Sequence, residues 1–385
     1  MPAFRVPVAP SLLEWAVERS GRPAEDIHHR FPALAAWERG TRHPTFNQLE
    51  DFAQATYTPF GSFFLDEPPV DEVPIPDFRT IGNVLVERPS PDLLESIFIC
   101  EQRQEWYRNH SLASGAEVLP FVGSASVESP VVETATLIRD TLQFNAEERA
   151  NDASWSDALR RLIDTAEEAG ILVMISGIVG NNTHRGLNPE EFRGFALSDP
   201  LAPLIFVNGT DTKAAQIFTL VHEACHIWLG QTALSDAAME RPGGNETELW
   251  CNRVAAEVLV PLASIRRSYR NSPTSDELDR LAKIYKVSTL VILKRIFDAG
   301  LLGWDSYRLT YRDELSRVMA ILGRKSQTSG GNYYFTHPLR VSRRFAKAVI
   351  NDTYTGRTLH RDAFRLLGTR KHETFVKLGQ QVGVV

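Results

Sequence analysis

The sequence predicts a mostly helical α+β fold: a helical bundle at the N-terminus, a small β-sheet beside long helices in the middle, and a helical C-terminal region. Three observations lead there. At 385 residues the chain is too long for one ordinary domain. Apolar residues recur at three- and four-residue spacings along much of it, the period of helices with a buried face. Two compact β-rich runs interrupt that pattern, Gly170-Ile171-Leu172-Val173-Met174-Ile175 and Leu204-Ile205-Phe206-Val207.

Composition narrows the class. With 43% hydrophobic and 23% charged residues the chain builds real cores rather than staying disordered. No apolar run approaches the roughly 18 residues of a membrane span, and the first residues lack a secretory signal. Three cysteines, Cys100, Cys225 and Cys251, are an odd number far apart in sequence, which fits a reduced, cytoplasmic setting. The formal charge of −6 is unevenly spread: residues 305–385 hold 15 Lys and Arg against 6 Asp and Glu, a local +9. That excess suits DNA or another acidic partner, or docking onto the chain's own acidic part.

Residues 12–65 read as a small helical bundle. Leu12-Leu13-Glu14-Trp15-Ala16-Val17 begins one helix, Gly21 and Pro23 break it, and Ala24-Glu25-Asp26-Ile27 opens another. Trp37-Glu38-Arg39-Gly40 and Pro44-Thr45-Phe46-Asn47-Gln48-Leu49-Glu50-Asp51-Phe52-Ala53 then resemble the signature of Xre-type helix-turn-helix domains. In such domains a recognition helix presents polar side chains to the major groove. The corresponding residues 30–37 offer almost no hydrogen-bonding group beyond Arg30, and residues 1–66 carry 6 basic against 8 acidic side chains. The bundle therefore reads as a module for partner docking or for a homodimer rather than for reading bases.

Residues 67–91 are rich in proline and read as an extended linker. Residues 92–115 read as a long helix, with Leu93, Leu94, Ile97, Phe98, Trp106 and Tyr107 at helical spacings, and residues 129–142 and 156–169 as two more.

The densest chemistry follows the second β-rich run. Ile217, Leu220, Val221, Ala224, Cys225 and Trp228 form one apolar stripe of a helix that Gly230 stops. On that helix stands His222-Glu223-Ala224-Cys225-His226, an H-E-x-x-H run. Histidines four apart lie about one turn apart on one face, so both imidazoles reach one ion, while Glu223 sits beside them as a base. A catalytic zinc takes three protein ligands, so a third donor is needed. Residues 248–261 read as a second helix ended by Pro261. Glu248 and Asn252 share a face, whereas Glu257, nine residues on, lies on the opposite side at about 100° per residue. Glu248 is the expected ligand, with Glu246 its nearest rival, and Asn252 is expected to support a ligand histidine. Cys225 and Cys251 read as small buried hydrophobes between the two helices.

Phe218-Thr219-Leu220-Val221-His222-Glu223-Ala224-Cys225-His226, followed by Glu248-x-x-Cys251-Asn252-x-x-Ala255-Ala256-Glu257-x-Leu259-x-Pro261, resembles the core of ImmA/IrrE-type metallopeptidases. The stretches 192–196 and 203–208 resemble the short strands before that family's active-site helix, and Pro76-Asp77-Phe78-Arg79-Thr80 resembles a linker motif of its long members, which raises packing of the linker on the peptidase. The resemblance implies a zincin-like, gluzincin-like core with Zn2+ on His222, His226 and Glu248, and Glu223 as catalytic base. It implies an endopeptidase cutting one regulatory protein, often a repressor, in stress or mobile-element control. Fused modules of this resemblance also look like antitoxins of nuclease toxins, so a toxin-neutralising regulator with weak or no proteolysis is the alternative, and a zinc scaffold without chemistry a third reading.

Beyond Pro261, residues 276–302 read as a helical pair that closes the family's peptidase core, residues 326–332 as a flexible break, and residues 338–385 as basic and helical. The expected division is thus 1–66 helix-turn-helix domain, 67–91 linker, 92–304 metallopeptidase domain with its core at 155–265, and 305–385 C-terminal helical domain.

Overall fold

A computed structural model describes residues 4–77, 88–235, 245–325 and 333–384. Among them the chain divides into two units, one of residues 4–74 and 88–97 and one of residues 75–77 and 98–384. The expected break at 326–332 and Phe78, Arg79 and Thr80 of the linker motif lie outside the described residues.

In the first unit, α1 (Pro10–Arg19), α2 (Ala24–Arg30), α3 (Leu34–Glu38) and α4 (Phe46–Ala55) surround Leu12, Leu13, Trp37, Leu49 and Phe52. Thr45 starts α4 through a capping box with Gln48, each satisfying a backbone N–H of the other. Phe31 and Trp37 meet Phe52 edge to face at 5.4 and 6.2 Å. The stretch 30–37 is not one helix. Pro32 separates α2 from α3, and Leu34 and Trp37 on α3 turn into the core.

The long helix α5 (Pro91–Ala113) precedes α6 (Val131–Thr141), α7 (Ala146–Ala150) and α8 (Trp155–Glu168). Ser154 caps α8 by accepting from the Asp157 N–H, and Ala158, Leu159, Leu162, Ile163 and Ala166 form its buried stripe. Four short strands follow: β1 (Leu172–Ser176), β2 (Gly194–Leu197), β3 (Leu204–Asn208) and β4 (Ala233–Ser235). They form one mixed sheet in the order β1-β3-β2-β4, with β1 parallel to β3 and β2 antiparallel to both β3 and β4. The outer edge of β4 is covered by the linker: the Leu234 N–H donates to the Pro76 carbonyl at 2.9 Å, and Asp77 pairs with Leu234.

Between β3 and β4 runs α9 (Lys213–Trp228), capped by Thr212, and it is followed by α10 (Glu246–Leu259), capped by Asn245. The sequence predicts one buried stripe on α9; instead every residue from Gln216 to Trp228 is buried. Helices α8 and α10 and strands β2 and β3 all pack on it, so its polar face is enclosed too. Three arginines gather at the far end of α10. Arg139 donates to the Glu257 carbonyl at 3.1 Å, Arg295 Nε to Val260 at 2.9 Å, and the fully buried Arg149 to Leu259. They satisfy carbonyls the helix leaves open and sit at the negative end of its dipole.

α11 (Leu262–Ser268), α12 (Ser275–Tyr285) and α13 (Thr289–Asp298) lead to α14 (Trp304–Lys325). α15 (Tyr333–Val341), α16 (Arg343–Tyr354), α17 (His360–Leu367) and α18 (His372–Gln381) complete the chain. α15 packs on β1. Buried Arg103 of α5 donates to the Arg340 and Leu366 carbonyls at 3.1 and 3.0 Å and lies 3.5 Å from the Met174 sulfur on β1. Among the described residues no helix is long and apolar enough to cross a membrane.

Candidate metal centre

Helix geometry brings the first two donors together. His222 and His226 follow each other by one turn of α9, and their Nε2 atoms lie 3.3 Å apart. From α10, Glu248 enters with Oε2 3.2 Å from His222 Nε2 and Oε1 3.0 Å from His226 Nε2. All three side chains are buried. A tetrahedral ion with bonds of about 2.0 Å separates its ligands by about 3.3 Å. The three observed separations are close to the edges of such a polyhedron, so the donor set and its size both fit a small divalent cation.

The rival carboxylates are placed elsewhere. Glu246 is exposed in the first turn of α10. Glu257 pairs with buried Arg295 and accepts from the Leu262 N–H at 3.2 Å. Asn252 faces the site: its Oδ1 accepts from His222 Nδ1 at 3.0 Å, which fixes the proton on Nδ1 and leaves the Nε2 lone pair directed at the other donors. Cys225 and Cys251 are both buried and free, packed between α9 and α10 in the core.

Glu223 is fully buried beside the trio. The Ser235 hydroxyl donates to Glu223 Oε2 at 3.3 Å and lies 3.2 Å from His226 Nε2, while Glu223 Oε1 has no hydrogen-bond partner. Gly194 on β2 makes room for it. A Cβ there would stand 3.1 Å from Glu223 Oε1, 2.8 Å from the Phe206 carbonyl oxygen and 2.6 Å from Thr219 Cγ2. Burial, helped by the charge on Glu248, pushes Glu223 up to about 8, against the pull of His222 and Ser235. Glu248 goes the other way: burial opposes its ionisation, but the charge and hydrogen bonds of His222 and His226 outweigh burial and hold it at about 2. Burial likewise opposes charge on His222, yet Glu248 raises its pKa, whereas burial wins at His226 and lowers it. Two neighbouring carboxyls are thus driven apart, one kept as an anion among the imidazoles and one poised to hold a proton.

Sequence reasoning missed Ser235 and singled out no role for Gly194. Ser235 lies on a three-residue strand that no local pattern announces, and Gly194 lies in the stretch 192–196, where nothing local marks it out.

Comparison with known proteins meets the same region. Residues 166–297 match the Peptidase M78 family model, described as an IrrE N-terminal-like domain. The match encloses every residue of the centre and supports the ImmA/IrrE resemblance. Residues 341–381 match a domain of unknown function, DUF8813. No curated protein and no solved structure matches the chain.

Proposed function

We propose that this chain is a zinc-dependent endopeptidase of the ImmA/IrrE type, acting in the cytoplasm on one regulatory protein such as a repressor in stress or mobile-element control. The observation that carries the proposal is the buried His222, His226 and Glu248 trio at ligand-to-ligand spacing, with an unpaired carboxylate oxygen of Glu223 next to it. Two imidazoles and one carboxylate suit zinc, and three protein donors leave one position open. Zinc held there supplies Lewis acidity and brings the acidity of water near neutrality.

The chain's own groups then move the proton. Ser235 ties down Oε2 of Glu223, leaving Oε1 to accept a proton from an attacking water and return it to the leaving amine. Burial favours the protonated form of Glu223, and a cation held beside it would favour the ionised form needed to begin. Asn252 holds the His222 ring in the required tautomer.

The N-terminal bundle fits a docking or dimerisation role on this reading, because the segment in the place of a recognition helix spends Leu34 and Trp37 on its own core. The basic C-terminal region is proposed to face an acidic partner.

Glu223→Gln tests the enzyme reading. The variant retains one zinc per chain and the wild-type melting profile, and it loses cleavage of a candidate repressor by at least about 100-fold. Equal cleavage by variant and wild type rejects Glu223 as the base. Stoichiometric zinc without cleavage by the wild type favours a metal-dependent scaffold.

A further inference from the structure

The cations of the C-terminal region do two different things. Arg317 reaches Asp279 on α12, Arg343 reaches Asp164 on α8, and Arg344 donates to the Tyr107 hydroxyl and the Glu167 carbonyl. These side chains hold α14 and α16 against the rest of the unit. A second group gathers where α17 meets α18: residues 357–377 hold six Lys and Arg against two Asp and Glu. Arg370 and Lys371 are exposed and make no ion pair among the described residues. Arg361 is also exposed and meets Asp362, its neighbour in sequence, at 3.6 Å.

Gly368, in the left-handed conformation at φ 63°, ends α17, and residues 368–371 lead the chain back. His372, the first residue of α18, thereby stacks on His360, the first of α17, with ring centroids 5.8 Å apart and planes 13° apart. Both imidazoles are exposed. Buried Phe375 lies 5.6 Å from the first of these rings and 6.3 Å from the second, and Tyr354, exposed at 49%, packs on the same phenyl ring at 6.0 Å. Ala363, Leu366, Leu367, Phe375 and Leu378 are all buried and form the core of the corner, to which the three outer rings add little. Those rings make a ledge of aromatic surface on a fixed anchor, with a cation next in sequence to each imidazole.

We propose that this corner binds single-stranded nucleic acid, with bases stacked on Tyr354, His360 and His372 and phosphates met by Arg361, Arg370 and Lys371. Every base has a π-face, so such a ledge takes any sequence, and cations at its margin follow the backbone. A duplex keeps its base faces inside the stack and leaves the rings unused. An acidic protein surface uses the cations and has no need of the rings. The proposal rests on the reading that the C-terminal region faces an acidic partner, whose chemistry it names, and it is independent of the metal centre.

The test uses the full-length, zinc-loaded protein with fluorescein-labelled oligothymidylate and oligouridylate of about 20 nucleotides, read by anisotropy at about 50 mM salt. Binding with a Kd below about 100 μM is expected, weakening with salt at a log–log slope of about −2, or about −0.7 for each of three phosphates. His360→Ala with His372→Ala is expected to weaken binding at least about tenfold, whereas His360→Phe with His372→Phe, which keeps the rings without the imidazoles, retains it. Arg361→Gln, Arg370→Gln and Lys371→Gln together are expected to remove the salt dependence, and Arg30→Gln in the N-terminal bundle to leave binding as it was. Melting profiles check folding, and the Phe pair and the Gln triple decide the matter if the Ala pair unfolds. Binding of either oligonucleotide, or of both, with these responses upholds the proposal and tells which sugar the site accepts. No binding of either overturns it, as does an Ala pair that binds like the wild type, a duplex bound as tightly as the single strand, or loss in Arg30→Gln with the C-terminal variants unaffected. Capture of poly-L-glutamate in place of the oligonucleotides also overturns it but leaves the acidic-partner reading standing, and failure to bind poly-L-glutamate as well removes that reading too.

Discussion

Gly194→Ala is the most demanding test of the site geometry, because a single methyl reaches Glu223 without touching a metal donor. The added Cβ meets Thr219 Cγ2 at 2.6 Å, the Phe206 carbonyl oxygen at 2.8 Å and Glu223 Oε1 at 3.1 Å. Gly194 does not have a left-handed backbone, so the cost is one of contact alone. Neither Thr219 on the enclosed α9 nor the backbone of β3 yields easily, and overpacking of this kind costs about 1–3 kcal/mol. Relief comes from a shift of β2 against α9, which displaces Glu223, and a misplacement of about 1 Å lowers turnover by about 100-fold. Zinc per chain, measured by native mass spectrometry, is expected to stay at one, while the urea midpoint and the cleavage rate both fall. Adding Thr219→Ser removes the shortest contact but not the carbonyl contact, so it recovers part of the stability. Full cleavage and an unshifted midpoint in Gly194→Ala refute the idea that β2 sets the position of the base.

Other perturbations read other parts of the structure. Asn252→Ala frees the His222 ring and lowers zinc affinity about 10–100-fold, measured by competition with a chromogenic chelator; an unchanged affinity shows that the hydrogen bond is incidental. Arg295→Met leaves Glu257 buried without its partner and destabilises the second unit by about 3–5 kcal/mol in urea titration, whereas the double change with Glu257→Leu restores most of the loss. Glu167, pushed up to about 7 mainly by burial, binds its proton more tightly in the folded chain than a glutamate with the ordinary value of 4.5 does. Its contribution is therefore complete below about pH 4.5 and lost as pH rises through about 7, on the order of 3 kcal/mol in all, and Glu167→Gln flattens that part of a stability-against-pH series.

Much of the centre was legible because it is local. Four-residue spacing on a helix places His222 over His226 wherever the helix goes, and an angular count along α10 separates Glu248 from Glu257 without knowledge of the rest of the chain. The enclosure of α9 was not legible. Its polar residues look like a solvated face in the sequence, and only the packing of β2, β3, α8 and α10 shows that they are interior. β4 escaped for a related reason: three residues carry no period, and their strand character comes from pairing with Gly194, Phe195 and Ala196 almost forty positions earlier. The helices after Trp304 announced themselves by pattern, but nothing in that pattern says that α15 lies against β1.

The guanidinium of Arg103 gives that last contact a practical meaning. It sits dry, holding the carbonyls of Arg340 and Leu366 on one side and the thioether of β1 on the other. A chain cut after Lys325 strands this cation beside the sheet and wets the flank of β1, so the fragment has every ligand and lacks the wall behind them.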